Sequence, residues 1–278
     1  LNRGRNWVVI GFMGALHALA LLALLPRFWS LPAVASLAVL YWVTACLGVT
    51  IGYHRLLSHR AFRVPQWLER FFATCGALSC QHGPIDWVGL HRHHHKFSDT
   101  EPDHHNSHRG FWWSHMGWMF RGADAMTVRS LPDLSKDPVA RVIHRGFVWW
   151  ALTGLVLPGI LGGLITQSWM GAFTGFLWGG LARVFMGHHA TWSVNSICHL
   201  WGTRPFSTRD ESRNNAAVMV PASCGGLPIF NASARAAISA KVSVTISGMT
   251  GTSIRSGWAR ASAATRSATA ARSSAIRS

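Results

Sequence analysis

The sequence predicts an all-α membrane protein with about four transmembrane helices, and two observations lead to this fold class. Of the 278 residues, 49% are hydrophobic and only 13% are charged, which is too apolar for an ordinary soluble protein. The apolar residues are also concentrated in long uncharged runs, and a helix of about 20 such residues crosses the hydrocarbon core of a bilayer. Composition and distribution therefore agree on helices that lie in a membrane.

The uncharged runs define the individual spans. One lies between Arg5 and Arg27, and a second of 26 residues lies between Arg27 and His54. No small-residue cleavage site follows the first run, so we expect a retained span and not a signal peptide. A third run of 37 residues, between Arg145 and Arg183, is interrupted by glycines and a polar turn, which predicts two spans. The predicted transmembrane helices are about 6–26, 30–52, 146–166 and 169–187.

The distribution of basic residues predicts the orientation. The net charge of +16 is compatible with nucleic-acid binding, but twelve Lys and Arg lie between Arg55 and Arg145, whereas the turn near Gln167 has none. Cytoplasmic loops of membrane proteins carry such an excess of positive charge. We therefore predict cytosolic segments at 54–145 and 188–215, and a lipid bilayer, not nucleic acid, as the partner of this charge.

The histidines lie just beyond the predicted membrane boundaries. On a helix, His91, His94 and His95 share one face, because three and four residues each approximate one turn. His54 and His59 are five residues apart, which opens about 140° on an ideal α-helix, so the two serve different ions or the helix unwinds between them. All of these positions and His199 are predicted on one side of the membrane.

Other histidines have simpler interpretations. His17 and His93 are expected to be packed or hydrogen-bonded, and His104, His105 and His108 are expected on a solvated loop. For the clustered histidines a metal site is the better interpretation. Structural zinc sites take four ligands and usually include thiolates, whereas imidazole-rich sites also suit iron and copper. More than four histidines indicates two ions side by side.

These residues stand in motifs that resemble the membrane fatty acid desaturases, in particular the Δ9 acyl desaturases. The matching motifs are HxxxxH at 54–59, HxxHH at 91–95, KFSDTEPDHHNS at 96–107, GFWWSHMGW at 110–118 and NSICHLWG at 195–202. The resemblance extends from about Gly48 to Asn215. It implies four membrane helices with a cytosolic helical cap that holds two irons. The activity implied is the use of O2 and two electrons to form a cis double bond in a saturated acyl chain.

The resemblance also implies roles for individual residues. It makes Trp87 and Trp192 walls of the acyl tunnel, although both could equally be interfacial tryptophans. Asp86, Asp99, Glu101 and Asp103 either orient imidazoles or are solvated loop acids. The iron ligands implied are His54, His59, His91, His94, His95 and His199, with Asn195 acting through a water.

Partners and location follow from the same resemblance. The substrate implied is a fatty acyl chain carried as acyl-CoA or acyl-lipid. No electron-carrier domain is visible in the sequence, so an external ferredoxin, cytochrome or reductase is implied. We expect an integral, multi-pass protein of a bacterial inner membrane with its metal site in the cytoplasm.

The sequence departs from the family pattern near its C-terminal end. The family carries a third box, HxxHH, shortly after the motif that contains Asn195, but no histidine follows His199. Residues 216–278 contain no Asp or Glu, and 28 of these 63 residues are Ala or Ser. We predict a desaturase domain at 1–215, a low-complexity tail at 216–278 and a disrupted reading frame near Asn215. The chain as written should bind fewer than two irons and have little activity, unless His104 or His105 substitutes.

Two other functions fit parts of the pattern. A membrane di-iron hydroxylase acting on alkanes or sterols would use similar histidines but would form an alcohol. A non-enzymatic membrane metal-binding protein would place its ligands inside the spans, whereas the clusters here lie outside them. The desaturase hypothesis accounts for the most motifs.

Overall fold

The computed structural model describes residues 4–121, 131–205 and 210–222. Across these ranges the chain is helical, and extended backbone pairs only at the isolated antiparallel bridge between Thr203 and Asn214. The predicted all-α fold class is therefore confirmed for the described residues. In chain order the helices are α1 (Trp7–Ala20), α2 (Leu31–Tyr41, continuing as a π-helix over Trp42–Ser58), α3 (Gln66–Ala77), α4 (Pro84–Phe97), α5 (Phe111–His115), α6 (Pro132–Ser135), α7 (Pro138–Arg145), α8 (Phe147–Thr166), α9 (Trp169–Gly175, continuing as a π-helix over Phe176–Ala182), α10 (Arg183–Leu200) and α11 (Ala216–Ala222).

Three helical segments are long and apolar enough to cross a membrane, namely Trp7–Leu24, Leu31–Ser58 and Phe147–Thr166. They coincide with the first three predicted spans. Residues 169–187 are helical throughout, since α9, its π-helical continuation and the first turn of α10 follow one another without a break. The fourth crossing stays a prediction, as does the division of the chain at residue 215. Residues 223–278, most of the predicted tail, lie outside the described residues.

The turn between α8 and α9 forms where the sequence predicts it. Gln167 ends α8 in the left-handed conformation (φ 50°), and the Ser168 hydroxyl accepts a hydrogen bond from Gly171 N as the N-cap of α9. The two helices then approach closely, because a Cβ on Gly162 would lie 2.4 Å from Gly171 O. This glycine contact allows α8 and α9 to form a tight antiparallel pair.

A buried cluster around Tyr53 fixes the ends of the helices that carry the histidines. Tyr53 at the end of α2 and Val88 in α4 are fully buried, and both pack in one cluster with Ile143 of α7. Gly76 of α3 lies against the Tyr53 ring, where a Cβ would come within 2.5 Å of Cε1. Full burial of an aliphatic side chain such as Val88 contributes roughly 1.5–3 kcal/mol. The histidine-bearing ends of α2 and α4 are therefore anchored to a common core.

Candidate metal centre

The π-helical end of α2 brings His54 and His59 together. A π-helix closes hydrogen bonds between residues five apart, and His59 N donates to His54 O at 3.0 Å in that pattern. The wider turn therefore stacks two residues that an α-helix would place about 140° apart. The helix therefore does not unwind between the two histidines but widens to a π-helical turn.

Four imidazoles converge where the end of α2 meets α4. His59 Nε2 lies 3.1 Å from His54 Nε2 and 3.1 Å from His91 Nε2. His91 Nε2 also lies 3.0 Å from His95 Nε2. The set of four donor atoms forms a compact group that could hold a metal ion. We call these residues the four-histidine centre.

The donor set of the four-histidine centre fits a cation. His59 Nε2 and His91 Nε2 each face two neighbouring ring nitrogens, and a neutral ring nitrogen carries either one proton or one lone pair. One ion at the middle would satisfy all four lone pairs. Metal–imidazole bonds of about 2.1 Å in a tetrahedron place nitrogens about 3.4 Å apart, close to the observed separations. Imidazole donors suit iron among other ions.

The surroundings keep these imidazoles neutral. Partial burial, followed by the nearby His59, lowers the pKa of His95 to about 4. Burial also lowers the pKa of His91 well below its usual value, with His54 and His95 as further causes. Metal ligands must be deprotonated. His91 and His95 are therefore neutral at neutral pH, and each has one nitrogen lone pair available for a metal.

A second group lies beside the first and is more deeply buried. It contains His94, Asp103 and His105, all buried. His94 Nδ1 donates to Asp103 Oδ2 at 3.0 Å, while His105 Nδ1 lies 3.7 Å from Asp103 Oδ1 and makes no hydrogen bond. The ring of His199 is 5.5 Å from that of His94. We call His94, His105 and His199 the second histidine group.

Two buried aspartates orient the second histidine group. His199 Nδ1 donates to Asp99 at 3.0 Å, and Asp103 receives His94 in the same way. Burial opposes ionisation of Asp103, but the hydrogen bonds from His94 and Asp99 N, together with the nearby His105, outweigh it and lower the pKa of Asp103. Hydrogen bonds from His199, Glu211 N and Ser107 likewise lower the pKa of Asp99 against burial. In both histidines Nδ1 is engaged, so Nε2 remains as the donor for a metal.

Of the four acids singled out in the sequence, Asp99 and Asp103 therefore contact histidine. Asp86 lies 3.9 Å from His144, outside both histidine groups, and Glu101 is exposed. Asp99 adopts a left-handed backbone conformation (φ 59°), which turns its carboxylate toward His199. The SDTEPD stretch carried no feature that distinguished the two contacting acids from the others.

Arg92 connects the two helices of the four-histidine centre, a role that the sequence analysis missed. Its Nε and Nη2 donate to Ser58 O at 3.2 Å and Leu57 O at 2.6 Å, carbonyls at the end of α2. Both guanidinium Nη atoms also donate to Asp133, which pairs with Arg60 as well. The two arginines lower the pKa of Asp133 to about 2, against the opposing effect of burial. The one signal for this role in the sequence was the position of Arg92 within a run of histidines.

The two predicted tunnel tryptophans lie against histidines. The Trp87 ring stacks on His91 with centroids 5.0 Å apart, within the four-histidine centre. Trp192 is buried and packs against His115, His188 and His189. Asn195 lies on α10, one turn before His199.

The remaining histidines divide as follows. His17 makes hydrogen bonds to Met13 O and His189, and His93 stacks on His104, so neither joins the two metal-type groups. His108 is exposed, as expected. The expectation for His105 is wrong: it is buried, because Asp103 Oδ1 accepts its backbone N–H and Trp118 covers its ring.

The comparisons with known proteins identify the class. Residues 29–225 match the family model described as fatty acid desaturase. The chain is 42% identical to the sn-1 stearoyl-lipid 9-desaturase of Anabaena variabilis over 75% of this chain and 74% of that one. It is 44% identical to the protein of the same name from Synechocystis sp. over 75% of this chain, but spans only 63% of that one. It is also 40% identical to the palmitoyl-monogalactosyldiacylglycerol delta-7 desaturase of Arabidopsis thaliana, over 76% of this chain and 56% of that one.

The chain belongs to the fatty acid desaturase family, as the matched share of the sequence shows. The predicted resemblance is therefore confirmed. The family and its named relatives indicate an oxidoreductase that acts on fatty acyl chains, which agrees with the predicted enzyme class. The family match ends at residue 225, within the region where the composition of the sequence changes.

Proposed function

We propose that this protein is built as a membrane fatty acid desaturase that forms a cis double bond at the Δ9 position of a saturated acyl chain. The observation that carries the proposal is the convergence of four histidine Nε2 atoms beside a second, aspartate-oriented histidine group. Two relatives named as lipid 9-desaturases support the position of the double bond. Other relatives are named for a different position of the double bond, such as the delta-7 desaturase, so the position of the double bond is part of the test.

The reaction balances with one O2, two electrons and two protons. Two hydrogens leave adjacent methylene carbons, a C=C bond forms and two waters are released. An unactivated C–H bond is too strong for side-chain acid or base chemistry, so two irons, when bound, would supply the oxidising chemistry. The chain itself holds the ligands and orients them.

The ligands proposed are the six histidines that the sequence predicts, with Asn195 acting through a water. The four-histidine centre would hold one iron. His94 and His199 would contribute to the second, with Nδ1 of each fixed by an aspartate. Trp87 and Trp192 would form walls of the acyl tunnel, because Trp87 stacks on His91 beside the core around Tyr53, and Trp192 packs among apolar side chains of the membrane helices.

The acyl chain would enter from the bilayer. The relatives' names support an acyl-lipid substrate over acyl-CoA. Electrons would come from an external ferredoxin, cytochrome or reductase. We further propose four membrane spans, a helical cap formed by the cytosolic segments, and a multi-pass location in a bacterial inner membrane with the histidines on the cytoplasmic side.

The second iron is the weak point of this chain. The third box is missing from the sequence, so His94 and His199 lack the partners that the family pattern supplies. His105 is better placed than His104 to substitute, because it is buried beside His94 with ring centroids 4.1 Å apart. We propose that the first ion binds tightly and the second weakly or not at all, with little desaturase activity.

Metal analysis tests this proposal directly. The purified full chain, loaded with Fe(II) under anaerobic conditions and desalted, should retain about one ion per chain and lose it in a His54→Ala, His91→Ala double variant. Two tightly retained ions would refute the proposed defect. Retention of no ion at all would refute the four-histidine centre.

Product analysis distinguishes the related hydroxylase. A chain whose third box has been restored should convert a saturated lipid to the cis-alkene. An alcohol as the sole product would overturn the proposed reaction while leaving the metal centre intact.

A further inference from the structure

Arg183, the first residue of α10, is among the largest fully buried side chains, with 2% of its surface exposed. It lies in the predicted fourth span, and an ionisable residue at membrane depth is costly and calls for a functional explanation. Its partners are four oxygens on four different segments. Nε donates to Gly179 O at 3.0 Å, Nη1 to Leu78 O at 2.9 Å and Thr44 Oγ1 at 3.4 Å, and Nη2 to Gly154 O.

Two of these oxygens are carbonyls that the helices themselves leave unsatisfied. Gly154 O would normally accept from the N–H four residues later, but that residue is Pro158, inside α8, which has no N–H. Leu78 caps the C-terminal end of α3, where carbonyls lack partners within the helix. The guanidinium has several donors in a fixed planar arrangement and can satisfy both at once.

The same contact ties down a strained loop. Between α3 and α4, Cys80 (φ 61°) and His82 (φ 74°) both adopt left-handed conformations without being glycine. Such strain persists only where the surroundings fix it. α10 supplies two further contacts, His188 Nε2 to Cys80 O at 3.1 Å and Gln81 Nε2 to Gly187 O at 3.2 Å.

The loop and α10 both lead to the histidine site. The loop continues directly into α4, which carries three of the proposed ligands, and α10 continues to Asn195 and His199. α8 meets the loop at Gly154, where a Cβ would lie 2.3 Å from Leu78 O. Arg183 therefore lies at the junction where α2, α8, α10 and the loop before α4 meet.

We propose that Arg183 is a positioning residue: by satisfying the carbonyl that Pro158 leaves free and the Leu78 carbonyl, it fixes the 78–83 loop and thereby the register of α4 against α2 in the four-histidine centre. The inference rests on the proposed function in so far as that centre binds metal. The proposed role requires the planar guanidinium with its several N–H donors, and a positive charge alone is not enough. It also makes Arg183 and Pro158 energetically coupled.

The test compares Arg183→Lys in two backgrounds, with Co²⁺ as the probe and the full chain in detergent. Lysine keeps the charge but has no planar fork. Pro158→Ala restores an N–H that can pair with Gly154 O, so the carbonyl no longer depends on Arg183. Co²⁺ affinity is followed by the visible absorption of the bound ion. Chemical unfolding is measured on the same four proteins: the unaltered chain, Arg183→Lys, Pro158→Ala and the double variant. Arg145→Lys, an exposed arginine that precedes α8, is the matched control.

We expect Arg183→Lys to weaken Co²⁺ binding by about tenfold or more, as loss of a residue that orients ligands typically does. In the Pro158→Ala background the loss should shrink to about threefold or less, and the unfolding measurements should show the same coupling. Recovery of folded Arg183→Lys only with Pro158→Ala would also support the proposal.

Equal losses in both backgrounds, or wild-type behaviour of Arg183→Lys, would overturn it. So would failure of both Arg183→Lys proteins to fold while Arg145→Lys folds, since that loss would not depend on Gly154. If the unaltered chain binds no Co²⁺, the metal proposal fails, but the coupling in the unfolding data still decides the role of Arg183.

Discussion

At the scale of single residues, the site is defined by which nitrogen of each imidazole faces the other ligands. In the second histidine group, aspartates occupy Nδ1 of His94 and His199, whereas in the four-histidine centre the Nε2 atoms face one another. The sequence analysis selected His94, His199 and the residues of the four-histidine centre as ligands, and that assignment stays a prediction. The sequence did not indicate the burial of His105, because burial depends on Trp118, which lies 13 residues further along the chain.

Neighbouring histidines on α4 should differ sharply in importance. His95→Ala removes one of four converging donors and should reduce metal affinity by about 100-fold or more, at least as much as loss of an outer partner. His93→Ala removes a ring that stacks on His104 and supplies no donor to the centre. This substitution should change metal affinity by less than about threefold. Anaerobic Fe(II) or Co²⁺ titration measures both, and equal effects would contradict the ligand assignment.

The metal-free protein should lose stability on acidification. The pKa of His95 is about 4 in the folded state and roughly 6.5 when unfolded, so between these values the unfolded chain binds more protons. Stability should therefore fall as the pH drops from about 6.5 toward 4, and less so in His95→Ala. Unfolding curves across this range provide the measurement, and a pH dependence unchanged by the substitution would count against a neutral His95.

Histidines 104 and 105 provide a second adjacent pair. If His105 substitutes for a missing ligand, His105→Ala should abolish any weakly bound second ion, whereas His104→Ala should leave it. Stepwise Co²⁺ titration separates the first ion from the second. If His104→Ala loses the second ion and His105→Ala keeps it, the substitute ligand is His104, which would contradict the assignment to His105.

At the scale of elements, the site depends on how helices end. The long uncharged runs predicted the membrane helices, and the spacing of His54 and His59 left unwinding as one alternative, but nothing in the sequence indicated that α2 continues as a π-helix over its last 17 residues. That change of pitch is what aligns His54 with His59. Pitch follows from packing against α3 and α4, and tertiary contacts of this kind cannot be read from one segment.

Arg92 should matter to metal binding although it lies between ligands and is not one. Arg92→Lys removes donors to Leu57 O and Ser58 O, and net stability should fall by about 1–3 kcal/mol, the usual contribution of hydrogen bonds from a charged group. Metal affinity should fall several-fold because α2 and α4 lose their direct link. Lys96→Gln, on the exposed end of α4, is the control and should change neither quantity.

At the scale of the whole molecule, charge and hydropathy predicted the membrane organisation, and three apolar helices agree with it. The fourth crossing can be tested with reporter fusions. A fusion that ends in the α8–α9 turn at Gln167 should report the outside of the membrane, and fusions that end at Arg145 or Leu200 should both report the cytoplasm. Opposite sides for the last two would contradict the proposed topology.

Restoration of the third histidine box tests the central claim most directly. The chain would be expressed in a host that lacks its own desaturase and requires unsaturated fatty acids, once as written and once with an HxxHH box restored after Asn215. Fatty acid profiling should reveal a cis-Δ9 product, with growth, only in the restored version. Robust Δ9 product from the chain as written, or no unsaturated product from a folded, metal-loaded restored chain, would contradict this account.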